Sequence, residues 1–464
     1  MENKQYQYHV RQAYQLFHEG ILAFSKAEQQ GLCVNMEYIS KHSHRIEKKQ
    51  AILLEKIKET TFYKHWSHTT GGKPNIYSNA QLAKFLYDVK KIKPVKFTKK
   101  GAPSTDEDTF MLLDIPELHK ILEIRKLKKR RDYLELYKRE QVDGVMRPFF
   151  NLHTVLTYRS SSDSPNFQNV PKRDVESMQI IRGAIIPREG HQFLEVDFGS
   201  IEVGIATCYH KDPTMLDYLI HEKDLHGDMA AQIFKIRNFD KSVKEYKILR
   251  GAAKNGFVFP QFYGDYWKNN AIGLAQWCSM PHGQWRKPSG IILPDGVHMT
   301  THLQKQGIKD YAAFEQHIRE IETDFWGKRF PVYKRWKETH YRQYVKTGIC
   351  QTLTGFTLRK VMSKNEVINY PVQGSAFHCL LWCFIKLTQI QEERKWRSRL
   401  VGQIHDAILF DVHPAELQEV AETVKHVTTV LLPKAYKWII VPMRIEADLG
   451  AVNASWADIE PYPI

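Results

Sequence analysis

Two short stretches constrain this chain most: Gln192–Phe198 and Leu400–Phe410, each alternating like a half-buried strand and each carrying an aspartate, Asp197 and Asp406. About two hundred residues separate them. That interval reads as mostly helical over 209–390, broken near 279–298 by Met280-Pro281-His282-Gly283, Pro288-Ser289-Gly290 and Pro294-Asp295-Gly296. One small sheet holding both strands around a helical insertion gives an α+β fold. A lone aspartate at a strand end is ordinarily a turn or cap residue. A carboxylate buried without a partner is costly, however, and a divalent cation shared by two of them would offset that cost. An all-oxygen donor pair suits Mg²⁺.

Composition narrows the class. The chain has 464 residues, 67 Lys plus Arg against 52 Asp plus Glu, and a net charge of +15. At ~100–200 residues per domain this is roughly two to four domains. No apolar run approaches the ~18 residues of a spanning helix, and the N-terminal residues lack a signal peptide's apolar stretch. Six cysteines (Cys33, Cys208, Cys278, Cys350, Cys379, Cys383) form no CxxC pair and no disulfide framework, as in a reducing cytoplasm.

The positive surplus points to a polyanion, most commonly nucleic acid. Lys90, Lys91, Lys93, Lys96, Lys99 and Lys100 form one run, and Lys126, Lys128, Lys129, Arg130 and Arg131 another. Either run alone is equally well explained by a solvated helix face. Two within forty residues favour a surface that tracks phosphates.

Residues 8–70 read as helical, with a break at Gly71-Gly72-Lys73-Pro74-Asn75 and a second helical, basic region to about 140. Ser104 or Thr105, followed by Asp106 and Glu107, predicts a helix N-cap with first-turn acids.

Three ordered segments carry a family resemblance. They are Asp197-Phe198-Gly199-Ser200-Ile201-Glu202-Val203; Arg250 through Lys254, Phe259, Tyr263 and Gly264; and Gln403-Ile404-His405-Asp406. Together they resemble motifs A, B and C of family A DNA polymerases, the DNA polymerase I type. The resemblance extends to Lys99-Lys100-Gly101-Ala102-Pro103-Ser104-Thr105 in a thumb. It also takes in Thr157-Tyr158-Arg159-Ser160-Ser161 with Pro165 through Arg173, Asn369 through Ala376, and Val441-Pro442-Met443 through Gly450 and Trp456.

The resemblance implies a right-hand fold with an antiparallel-sheet palm and helical fingers and thumb. Residues 1–70 would be an N-terminal helical remnant, 71–150 the thumb, 151–208 and 377–464 the palm, and 209–376 the fingers. It implies template-directed DNA synthesis from dNTPs on a primer-template, with two Mg²⁺ ions (Mn²⁺ as a substitute) held by Asp197, Asp406 and the Phe198 carbonyl. Arg250, Lys254 and His226 would contact the triphosphate, the first two being i and i+4 on one helix face. Glu202 and Tyr263 would exclude a ribose 2′-hydroxyl, with Phe259 facing the sugar. Arg159, Gln168, Asn169, Arg173, Gln373 and His405 would meet the duplex, together with Lys99, Lys100, Ser104 and Thr105 in the thumb.

Departures from the family pattern sharpen the expectations. Lys254 to Phe259 is one residue longer than usual, and Pro260 follows. A π-bulge or kink at 255–260 would absorb the extra residue. Ala407 stands where the family usually has Glu, so Asp411 is the candidate to compensate in part. Arg359 is a candidate template contact. Residues about 268–310 look like an insertion in the fingers. The first ~70 residues leave no room for a proofreading exonuclease or 5′ nuclease. Either the sequence is a piece of a longer protein, or it is naturally exonuclease-free with a separate exonuclease or processivity factor, as the resemblance to compact phage replicative polymerases in a bacterial or infected-host cytoplasm implies. A single-subunit RNA polymerase shares several of these elements, but Glu202 and the 159–169 block oppose it. A silent DNA-binding scaffold would have no need of the two aspartates beside Arg250 and Lys254.

Overall fold

The two aspartate-bearing segments share a sheet. In the computed structural model, which describes residues 10–98, 101–171 and 174–464, β1 (Gln192–Phe198) is the central strand of five. Its companions are β2 (Arg399–Ile404), β3 (Ala407–Val412), β4 (Ile445–Gly450) and β5 (Ile459–Tyr462). The antiparallel order is β2-β3-β1-β4-β5. Register sets Ala407 and Glu446 on either side of Asp197.

Side chains alternate across a strand, so this sheet has two unlike faces. Leu194, Val196, Ile408, Phe410 and Ala447 point one way, into the core shared with Phe377, Leu381 and Phe384. Asp197, Glu195, Asp411, Glu446 and Asp448 point the other way. Two of these acids are buried and paired, as the low-dielectric interior requires. Glu195 accepts from Arg182 Nη1 at 3.0 Å and Trp456 Nε1 at 2.7 Å.

Asp411 accepts from Arg188 Nη1 at 2.6 Å and lies 2.9 Å from His191 Nδ1. This corrects the expectation that Asp411 compensates for Ala407: its carboxylate is committed to Arg188, further along β3. The stretch 400–410, read from sequence as one strand, is a hairpin. His405 and Asp406 form its two-residue turn, with His405 at φ +50°. A left-handed residue reverses the chain without disturbing the apolar alternation on either side.

Helices build the rest. α1 (Val10–Gln30) crosses the sheet's flank, where Gly20 permits close approach; a Cβ there would lie 2.9 Å from Leu381. α2 (Met36–Lys58) packs along α3 (Pro116–Glu140). A second hydrophobic cluster, including Ile57, Trp66, Phe85, Phe110 and Ile121, draws on chain from both sides of residue 70. The N-cap expected at Ser104 or Thr105 is Asp106, whose carboxylate accepts the Thr109 N–H at 2.9 Å. Ser104 itself is buried and accepts the Asp106 N–H.

Beyond the sheet come α4 (Ile201–His210), α5 (Leu225–Ile233), α6 (Lys244–Ala253), α7 (Pro331–Thr347) and α8 (Lys364–Glu393). α6 runs on through a π-turn at Lys254–Val258 into Phe259–Phe262. The expected bulge is therefore present. The segment around 281–310 packs behind α5: His302 and His317 place Nε2 3.0 Å from the Phe234 and Ile233 carbonyls at the C-terminal end of that helix. Among the described residues no helix is long and apolar enough to cross a membrane, and all six cysteines are free thiols.

Candidate active site

Asp197 ends the apolar run of β1, and Asp406 occupies the turn between β2 and β3. The two tips are joined by one backbone hydrogen bond, from Phe198 N–H to the Asp406 carbonyl at 3.0 Å. The hairpin is braced from below by a polar cluster. Gln403 Oε1 accepts from Ser160 Oγ at 2.7 Å and from Gln168 Nε2, while the Gln403 amide donates to the His405 carbonyl. Gln168, expected at the duplex, thus has its amide engaged in holding the turn. Gln403 and Ser160 lay inside quoted motifs but had no role assigned. Their partnership spans 243 residues, and no local pattern reveals it.

Arg159 reaches toward both Glu202 and Asp406. Its Nη1 is 3.3 Å from Glu202 Oε1, and its Nη2 is 3.9 Å from Asp406 Oδ1. Tyr263 donates its hydroxyl to the other Glu202 oxygen. Enclosure of that hydroxyl and the Glu202 charge hold the phenol above its ordinary range. Gly264 follows at φ +90°, and a Cβ there would lie 2.3 Å from Asn365 Oδ1, so only glycine fits behind this tyrosine. Glu202, Tyr263, Phe259 and Gln373 line one pocket of about 430 Å³.

A larger cleft of about 1300 Å³ opens beside it, lined by Phe198 and Glu446 from the sheet, by Arg444 just before β4, and by Asp224, His226 and Arg250 on the helical side. Arg250 Nε lies 2.8 and 3.0 Å from the two Asp224 oxygens. His226 is neutral: burial, then Arg250 and Lys254, lower its pKa to about 4. Its buried Nδ1 has no hydrogen-bond partner among the described residues. Lys254 Nζ lies 5.3 Å from the Phe259 ring centroid, and His226 meets that ring edge-on at 5.5 Å. The π-turn therefore returns Phe259 to the face of Lys254, despite the extra residue. Phe257 and Val258 are fully buried and face the core.

The other expected contacts are more dispersed. His405 is exposed at the hairpin tip and Asn169 on a 3₁₀ turn, while Thr105 is half-buried. Lys99, Lys100 and Arg173 lie outside the described residues. Among the described residues no group of three or more His, Cys, Asp or Glu could hold a metal by itself. The donors on offer are the Asp197 and Asp406 carboxylates and the Phe198 carbonyl. This is a hard-oxygen set that fits Mg²⁺ when water and phosphate oxygens complete the shell.

A polar-faced palm sheet with two acidic tips, set against a helical lobe bearing cations, is the layout of the right-hand polymerase fold. A sequence profile of DNA polymerase family A matches residues 37–280 and 311–458. The chain belongs to that family. It is 26% identical over 437 residues to a DNA polymerase of Bacillus phage SP01, covering 87% of this chain and 43% of that protein. It is 28% identical over 384 residues to DNA polymerase I of Aquifex aeolicus, covering 82% and 58%. The chain thus spans about half the length of these relatives.

The POL domain of Pol1 from M. smegmatis, solved with DNA primer-template and dNTP, shares the fold. The TM-score is 0.72 at 21% identity, over 95% of this chain and 70% of that one. The gap in the family match, 281–310, falls within the expected insertion, whose first helix, Trp267–Trp277, lies inside the match.

Proposed function

We propose that this chain performs template-directed DNA synthesis, joining a dNTP to a primer 3′-hydroxyl with release of pyrophosphate. The observation that carries the reading is the Asp197–Asp406 pair of tips, tied by the Phe198 N–H, beside a cleft that Phe198 and Glu446 line together with Arg250 and His226. Two Mg²⁺ ions held by Asp197, Asp406 and the Phe198 carbonyl would activate the hydroxyl and neutralise charge on the leaving group. Arg250 and Lys254 bind the triphosphate, and the unpartnered His226 Nδ1 offers it a further polar contact. Positioning of this kind is most of what phosphoryl transfer asks of a protein. Glu202, held by Arg159 and Tyr263, occupies the space a ribose 2′-hydroxyl would need. His405, Asn169 and Gln373 face the primer-template, with the Gln403 cluster keeping the hairpin in register.

The palm comprises 151–208 and 377–464, the fingers 209–376, and the thumb 71–150 with the helices behind it back to Ile57. A bacterial or infected-host cytoplasm and a separate exonuclease or processivity factor complete the reading. Primer extension with Mg²⁺, comparing dNTPs with rNTPs, tests it. The wild type extends with dNTPs only, and Glu202→Ala raises rNTP use by roughly a hundredfold, as removal of a buried polar block should. Equal use of both sugars by the wild type would overturn it.

A further inference from the structure

Arg250 does not enter the cleft as a free cation. Its Nε is shared by both oxygens of Asp224, and its terminal nitrogens make no hydrogen bond to the described residues. Asp224 is itself fixed: it immediately precedes α5, and its carboxylate lies over the first turn of that helix. There a Cβ on Gly227 would come within 2.6 Å of Oδ2. Burial opposes its ionisation, yet Arg250 and the Gly227 N–H hold the carboxyl below the usual range. The far end of α5 is buttressed by His302 and His317.

From this geometry, and resting on the reading above, we infer that Asp224 is a positioning residue: it orients Arg250 so that the two terminal nitrogens face the incoming triphosphate. Arginine has high rotamer freedom, and a carboxylate at Nε removes much of it before substrate arrives, leaving the rest of the planar fork to phosphate. The opposite role is also testable. A carboxylate that merely competes with phosphate for Arg250 would weaken nucleotide binding.

Asp224→Asn keeps the shape and the helix-starting character and removes the charge; Asp224→Ser serves if the amide disturbs folding. Steady-state incorporation should show the dNTP KM rising about tenfold with kcat within about threefold, as expected when uniform binding is lost. Primer-template affinity should be unchanged, and the thermal midpoint should fall by no more than about 4 °C, which leaves the protein folded at the assay temperature. In an Arg250→Gln background the same change should add nothing. A KM that stays constant or falls in Asp224→Asn, or an equal rise in the Arg250→Gln background, overturns the inference. If the wild type extends no primer, the polymerase reading fails. If it extends and Arg250→Gln raises KM while Asp224→Asn does not, only the role of Asp224 fails.

Discussion

His226 shows how burial and charge set one residue's chemistry. Its neutral imidazole sits beside two cations, and protonating it would add a third. His210 and His378 are also buried, and desolvation pulls each to about 3. All three folded values lie below the free value of ~6.5, so the unfolded chain binds more protons between pH 6.5 and the folded value. Stability from these groups is present above pH 6.5 and lost as pH falls toward 4. Lowering pH from 7 to 5 should cost about 2 kcal/mol per histidine. Urea melts at the two pH values measure this, and an unchanged midpoint would contradict it. Arg130 makes the complementary case. Only 3% exposed, it pairs with Asp174 and Glu176 and donates Nε to Ser177. Arg130→Gln should destabilise the fold by about 2 kcal/mol, measured by the same melts, because the charged donor to Ser177 and the two carboxylates is lost while Lys126 still meets Asp174.

Among the elements, the π-turn at Lys254–Val258 bears most directly on the site. It accommodates one extra residue while keeping Lys254, Phe259 and Tyr263 on one side. Deleting the exposed Asn255 should convert it to α-helix and leave dNTP incorporation within about tenfold of wild type. Inserting one alanine after Asn255 should cost at least about a hundredfold, because a further ~100° of rotation turns Phe259 away. Single-nucleotide incorporation distinguishes the two, and equal loss in both would contradict this account of the turn. The bulge was legible in sequence because Pro260 and one residue more than the family spacing both act locally. The strands were legible because alternation is local too. Asp197 and Asp406 stood out through the motifs around them, since Glu195 and Asp411 lie in the same strands. The turn at His405 was not legible, since one left-handed residue leaves the pattern intact. Nor were the long-range partnerships: Asp411 with Arg188, or Gln403 with Ser160, depends on chain brought together only by the fold.

At the scale of the molecule, the two lysine-rich runs at 90–100 and 126–131 overstate the cations free to meet DNA. Lys96 pairs with Asp106 and Asp108, Lys126 with Glu107 and Asp174, and Lys128 with Asp132. Lys91, Lys93 and Lys129 are exposed. Changing each of these three to Gln should lower the slope of log K for primer-template binding against log salt by about one, with no sequence preference. Filter binding across a salt series measures it, and an unchanged slope in the triple variant would contradict a phosphate-tracking role for these lysines.

The central claim is that two strand-tip aspartates brought together by the sheet make the reaction centre. The most direct test is single-nucleotide incorporation with Mg²⁺ by wild type and Asp406→Ala, on a primer-template each is shown to bind. The account predicts at least a ~1000-fold loss of rate, with duplex affinity and thermal midpoint retained. Incorporation by Asp406→Ala within about tenfold of wild type would contradict it.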